Sequence, residues 1–255
     1  MTGTRRVFGA GALGVLLGSG SLGAQSDPPC LQHDRDCPRP RVIEVAPAAR
    51  TPAAPPSDAI ILFSGRDLSH WRSAEGRPPG WKIAKQILEV VPGSGPIQTM
   101  SGFGDVQLHL EWMTPFPPEG RDQDRGNSGV FLMGRYEVQI LDSYANPTYP
   151  DGEAAAIYGQ YPPLVDASRP AGEWQVYDII FRRPRFGPEG ELLRPARMTV
   201  FHNGVLVQDN VTLTGPTGHQ RRPPYEAHPD RLPLLLQDHQ HAVRFRNIWL
   251  RDLEQ

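Results

Sequence analysis

The residues best suited to chemistry stand in two runs. The first is Arg135-Tyr136-Glu137-Val138-Gln139-Ile140-Leu141-Asp142-Ser143. Successive side chains of a strand point to opposite faces, so Val138 and Ile140 face a core while Arg135, Glu137 and Gln139 share the other side. The second is Leu234-Leu235-Leu236-Gln237-Asp238-His239-Gln240-His241, a leucine run that ends in titratable groups. Histidine is the usual acid or base near neutral pH, so Glu137 and His239 form the candidate pair for proton transfer. Plainer readings stand beside this one. An antiparallel sheet with one wet face alternates polar and apolar residues without any function. Asp238, His239 and His241 also suit a surface loop or a cation site, at a spacing that is not specific.

Strands must position these groups. Val130 and Leu132 face inward, with Asn127, Gly129, Phe131 and Met133 on the opposite side. Val106, Leu108, Leu110 and Trp112 alternate with Gln107, His109, Glu111 and Met113. Further strand runs are Ile60–Phe63, one within Trp81–Val91, Glu173–Arg182, Met198–Phe201, Val205–Gln208, Leu232–Leu236 and Val243–Arg251. Asn203-Gly204 between two of them is a hairpin-turn signal. Helical periodicity is not sustained anywhere, so many short strands predict an all-β sandwich or jelly roll of antiparallel sheets. The long, proline-bearing loops 114–125, 144–170 and 215–231 are the places where function gathers on such a scaffold.

The bulk properties narrow the class. The 255 residues carry a net charge of −2, which leaves no basic stripe for a nucleic acid. Arg5 and Arg6, an apolar run from Val7 to Leu17 and a small-residue stretch to Gln25 predict a signal peptide over 1–25, with a twin-arginine flavour. That run falls short of the ~20 residues that span a bilayer, so no integral membrane segment is expected after cleavage. The expected location is therefore exported, periplasmic or secreted. Residues 26–57 are rich in Pro, Ala and Arg and read as a mobile linker. Cys30 and Cys37, the only cysteines, suit a local disulfide in an oxidising compartment. The functional domain is 58–255.

Several motifs in order resemble one family. They are Leu62-Phe63-Ser64-Gly65 through Trp71, Asn127–Leu132, Arg135–Ser143, Ala156-Ile157-Tyr158-Gly159, Gly172–Ile179, His202–Gln208, Leu236–His239 and Phe245–Trp249. Together they are similar to the 3-keto-disaccharide hydrolase family, formerly a domain of unknown function, from about Ile60 to Leu253. One departure is Gln240, where the family commonly has Gly. The resemblance implies a concanavalin A-like jelly roll and action on glycosides already oxidised at sugar carbon 3.

A ketone there acidifies the carbon 2 proton, so a base, an acid and an enolate stabiliser suffice. Glu137 and His239 then serve as base and acid in either order. Arg135, Gln139 and Asn127 orient the sugar or hold the enolate oxygen, and Gln237 and Asp238 add polar contacts. Glu111 and Asp142 are further candidates. Tyr158 and Trp174 offer stacking walls, although core packing suits Trp174 slightly better. A divalent metal ion held by Glu137, Asp238 and His239 is a possible cofactor. Rival readings are a carbohydrate-binding module, a cell-envelope structural protein and a conventional retaining glycosidase, which needs two carboxylates roughly 5 Å apart.

Overall fold

A computed structural model describes residues 1–3 and 28–254. The expected signal segment, beyond its first three residues, lies outside the described residues. The strands in chain order are β1 (Arg41–Val42), β2 (Ile60–Phe63), β3 (Trp71–Ser73), β4 (Lys82–Ala84), β5 (Ile87–Glu89), β6 (Ile97–Phe103), β7 (Val106–Met113), β8 (Ser128–Leu132), β9 (Tyr136–Ile140), β10 (Val165–Asp166), β11 (Gln175–Arg182), β12 (Arg185–Phe186), β13 (Leu192–Arg194), β14 (Arg197–His202), β15 (Val205–Thr212), β16 (Leu232–Leu236) and β17 (Arg244–Asp252). One 3-10 turn, Pro150–Gly152, is the helical content of the described residues.

Two antiparallel sheets form a jelly-roll sandwich. The larger runs β15-β14-β11-β7-β17-β5-β4, with β2 also on β17, and the smaller runs β3-β6-β16-β8-β9. Alternation explains the core between them. Leu108, Leu110 and Trp112 of β7, Tyr177, Ile179 and Phe181 of β11, and Val130, Val138 and Ile140 of β8 and β9 are all buried in one cluster. Each such side chain contributes about 1.5–3 kcal/mol relative to exposure. The Tyr177 hydroxyl crosses the sandwich and donates to the Gln139 carbonyl at 2.7 Å, tying the larger sheet to β9.

The turns follow local chemistry in one case and not in another. Asn203 (φ 54°) and Gly204 (φ 82°) make the left-handed pair that an Asn-Gly hairpin requires. Lys85 (φ 51°) and Gln86 (φ 64°) adopt the same geometry without the usual residues, so the single run read within Trp81–Val91 is the hairpin β4–β5. Packing of Leu88 and Trp81 into the core overrides turn propensity there.

The N-terminal segment, expected as a linker, makes polar contacts with the domain. Its extended, proline-rich backbone leaves carbonyls that the domain's side chains reach. Arg169 donates to the Ala46 carbonyl, Arg246 to those of Ala49 and Arg50, and Asn247 to that of Ala53. β1 pairs in parallel with β10. Cys30 and Cys37 are joined in a disulfide, and the loop they close rests on the domain. A count of apolar residues available for burial misses these polar anchors. No helix among the described residues is long and apolar enough to cross a membrane.

Candidate active site

β9 lies at the edge of the smaller sheet, and its free backbone is covered rather than exposed. Gln139 exchanges backbone hydrogen bonds with Ala155 and Ala156, and the Tyr158 amide donates to the Glu137 carbonyl at 3.3 Å. The Glu137 amide donates to the Thr217 hydroxyl at 2.9 Å, and the Thr217 amide donates to the Arg135 carbonyl at 2.8 Å. The strand carrying Glu137 is therefore clamped by loop 144–170 and by loop 215–231. On its other side it pairs with β8 in the register Gly129↔Gln139 and Phe131↔Glu137.

The outer face of β8, β9 and β16 holds a cleft of about 270 Å³. Glu137 and His239 both line it, with Asn127, Gln139, Gln237 and Tyr158. His239 arrives at the end of β16, where the Gln237 amide donates to the Gly129 carbonyl and the Ser128 hydroxyl donates to the Gln237 carbonyl. The two runs singled out in the sequence thus meet at one cleft.

Glu137 is 4% exposed, and its carboxylate has no hydrogen bond or ion pair among the described residues. Burial alone pushes its pKa up to about 8. Gly129 makes room for it: a Cβ there would stand 2.4 Å from the Glu137 Oε1. The side-chain amide oxygens of Gln139 and Gln237, both Oε1, are buried without a donor among the described residues. Such acceptors suit sugar hydroxyls. Gln139 Nε2 donates to Gln123 Oε1 at 2.9 Å, and Asn127 donates to the Gln123 carbonyl at 2.8 Å, so Gln123 orients two lining amides. The Tyr158 hydroxyl shares hydrogen bonds with Tyr149 and His219, and burial raises its pKa.

Other expected site residues lie elsewhere. Arg135 lines a neighbouring cavity. Asp142 binds Arg125 at 2.6 Å beside a third cavity, because the alternation that turns Glu137 to the cleft ends at Leu141. Asp238 caps its own loop, accepting from the Gly95 and Gln240 amides. Gln240 is left-handed, with φ 66°. Glu111 is in the larger sheet and pairs with Arg246 at 2.6 Å. Trp174 carries the Arg246 guanidinium over its ring at 4.1 Å, so it is neither core nor a wall of this cleft. Glu137, Asp238 and His239 do not converge. Among the described residues no group of three or more His, Cys, Asp or Glu side chains is placed to hold a metal ion.

Phe131, Thr217, Gly218 and His219 also line the cleft. Sequence pattern placed Phe131 on the correct face but did not mark it as a contact. The other three come from a loop with no strand periodicity, where only its length and prolines signalled a role. The disulfide loop adds a buttress. Gln32 donates to the Gly218 carbonyl at 2.8 Å, and the His33 ring stacks on Tyr149 at 4.2 Å and tilts against Tyr158 and His219. Burial, His219 and Arg222 lower the His33 pKa to about 4, so it is neutral at ordinary pH.

Comparisons with known proteins bear on the family and the fold. Residues 58–251 match the model of the 3-keto-alpha-glucoside-1,2-lyase-like domain. A candidate glycosyl hydrolase from Parabacteroides distasonis is 44% identical, with a TM-score of 0.75 over 77% of this chain and 84% of that one. Two further candidate glycosyl hydrolases from the same organism, at 17% and 21% identity, share the fold with TM-scores of 0.57 and 0.56. They cover 77% and 76% of this chain and 94% and 99% of their own. No curated protein matches. The domain is thus carbohydrate-active and of the glycosyl-hydrolase-like kind. The chain belongs to the family defined by the 3-keto-alpha-glucoside-1,2-lyase-like domain.

Proposed function

We propose that the protein cleaves glycosides carrying a ketone at sugar carbon 3, by elimination followed by hydration. The observation that carries this reading is the composition of the cleft: Glu137 is the one carboxylate lining it, and it faces His239 and amides rather than a second acid. A conventional retaining hydrolase uses two carboxylates about 5 Å apart. A buried carboxylate without donors is instead a strong base of its kind, because water and hydrogen bonds no longer stabilise its anion.

In the proposed sequence, Glu137 takes the proton from carbon 2. The electron pair forms the enolate of the carbon 3 ketone, then expels the oxygen on carbon 1. His239, at the exposed mouth, gives that oxygen a proton. Water then adds across the resulting double bond, with hydroxyl on carbon 1 and hydrogen on carbon 2, leaving the free 3-keto sugar. Asn127 and the Gln139 amide orient the ring, and Phe131 and Tyr158 flank its C–H faces. Export to the periplasm or beyond belongs to the same proposal. It is supported by the Arg5-Arg6 leader pattern and by the Cys30–Cys37 bond.

The test is turnover of a 3-keto-disaccharide beside its unoxidised parent. The wild type is expected to cleave only the oxidised sugar. Glu137→Gln and His239→Ala are each expected to lose about 10²–10⁴-fold in kcat. Cleavage of the parent alone, or full activity in both variants, defeats the assignment. Saturable binding without product would favour a lectin-like role.

A further inference from the structure

Beside the cleft lies a larger cavity of about 560 Å³. Phe131 and Thr217 line both spaces, so the two adjoin at these side chains. Its floor is apolar, with Leu232 and Leu235 of β16. Its loop wall holds Pro216, Pro223 and Pro224, whose fixed φ limits collapse or rearrangement. Two arginines complete the lining, Arg135 from the β8–β9 turn and Arg221 from loop 215–231.

Neither arginine is engaged by a carboxylate, a state shared among the described residues with arginines such as Arg66, Arg72, Arg121 and Arg194. Arg125, Arg183, Arg185, Arg231, Arg244, Arg246 and Arg251 are held in ion pairs. Arg135 and Arg221 have no ion pair among the described residues. Glu226, exposed on the rim, is the one carboxylate lining the cavity and is also outside any ion pair. The balance is two fixed positive charges against one negative. A guanidinium binds a carboxylate through paired N–H donors, and a ring lies well on a leucine floor.

We propose that this cavity is the leaving-group subsite, and that Arg135 and Arg221 make it prefer leaving groups built on a ring that carries a carboxylate. The proposal rests on the reading of the cleft as a glycoside-cleaving site. With the reacting sugar at Glu137, its carbon 1 substituent extends past Phe131 and Thr217 into the cavity. There the carboxylate meets the two arginines, and the ring covers Leu232 and Leu235.

Two 3-keto-glucosides test this, alike in the sugar and differing in the leaving group: 4-hydroxybenzoate against 4-hydroxybenzamide. The wild type is expected to favour the carboxylate by about ten-fold or more in kcat/KM, the scale of a charge-assisted hydrogen-bonded pair. In Arg135→Ala/Arg221→Ala that ratio is expected to fall to about one. A wild-type ratio near one, or a ratio that survives the double substitution, overturns the proposal. Calorimetric titration with free 4-hydroxybenzoate separates the two readings. If neither glucoside turns over, the cleavage reading fails. Binding that weakens about ten-fold in the double variant would then still support a carboxylate site, and absent binding would overturn it.

Discussion

Glu137 and Glu111 hold matching places in the two sheets, yet they have opposite chemistry. Each is a buried carboxylate on the outward face of a strand whose other face is core. Burial acts on both to raise the pKa. At Glu111, the His109 ring 3.8 Å away and hydrogen bonds from Asn247 and Arg246 outweigh burial and hold the carboxyl below its ordinary range. At Glu137 no donor opposes burial, and the value rises to about 8. Glu111 is a structural anion that fastens β7 to β17. Glu137 is a carboxyl group whose anion the fold leaves uncompensated, so it holds its proton up to about pH 8 and is strongly basic once ionised. Position in a strand does not separate them; the partners brought by other elements do.

Substitution should break this symmetry most sharply in activity. Glu137→Gln is expected to lower kcat by about 10³-fold, whereas Glu111→Gln leaves the kcat of folded protein within about two-fold. Gly129→Ala lies between them. The new methyl meets Glu137 Oε1, and the carboxylate must move, so kcat should fall by about ten-fold or more while KM changes less. Wild-type kinetics in Gly129→Ala would mean that the Glu137 position is not critical.

Stability should move in opposite directions. Glu111→Ala leaves Arg246 and His109 without their shared anion, and unfolding by denaturant should show a loss of about 3 kcal/mol. Native Glu137 keeps a proton, up to about pH 8, that the unfolded chain releases from its ordinary value of 4.5. Stability therefore falls as pH rises between those values, by about 1.4 kcal/mol per unit at most. Glu137→Gln removes that penalty, so it should gain up to roughly 3 kcal/mol at pH 7 and nothing at pH 4.

The pH profile sharpens the same contrast. With Glu137 as base, kcat/KM should rise through a limb near pH 8. A fall above that pH would exchange the roles of Glu137 and His239. His109 titrates differently: burial lowers it, but the hydrogen bond to Asp178 and the nearby Glu111 carboxylate prevail and raise it to about 9. Its contribution to stability is complete below pH 6.5 and is lost as pH rises through 9. The smallest effect is expected from Cys30→Ser/Cys37→Ser. Releasing the loop that seats His33 against Tyr158 and His219 should lower kcat/KM about two- to five-fold with little change in global unfolding.

Much of the scaffold was legible in the order of residues. Period-two alternation separated Val138 and Ile140 from Glu137 and Gln139, because a strand's geometry is local. Asn203-Gly204 marked its hairpin for the same reason. The hairpin at Lys85-Gln86 carried no such mark, since core burial of its flanks imposes a turn that its own residues disfavour. Alternation also could not rank the polar residues it exposed. It put Arg135 on the face of Glu137 and Gln139, yet Arg135 lines a neighbouring cavity, and it exposed Glu111 on a strand of the other sheet.

What this sequence determined by itself is which side chains face away from the core, together with the motifs that mark its family. Tertiary structure decided which of them share a cleft. It drew Gln123, Thr217 and His219 from distant loops, laid residues 28–57 along the sandwich, and supplied Glu111 with cations while denying them to Glu137. The physical reason is range. Strand faces follow from neighbouring residues, whereas desolvation and ion pairing depend on every element packed around a group, and those elements lie far apart along the chain.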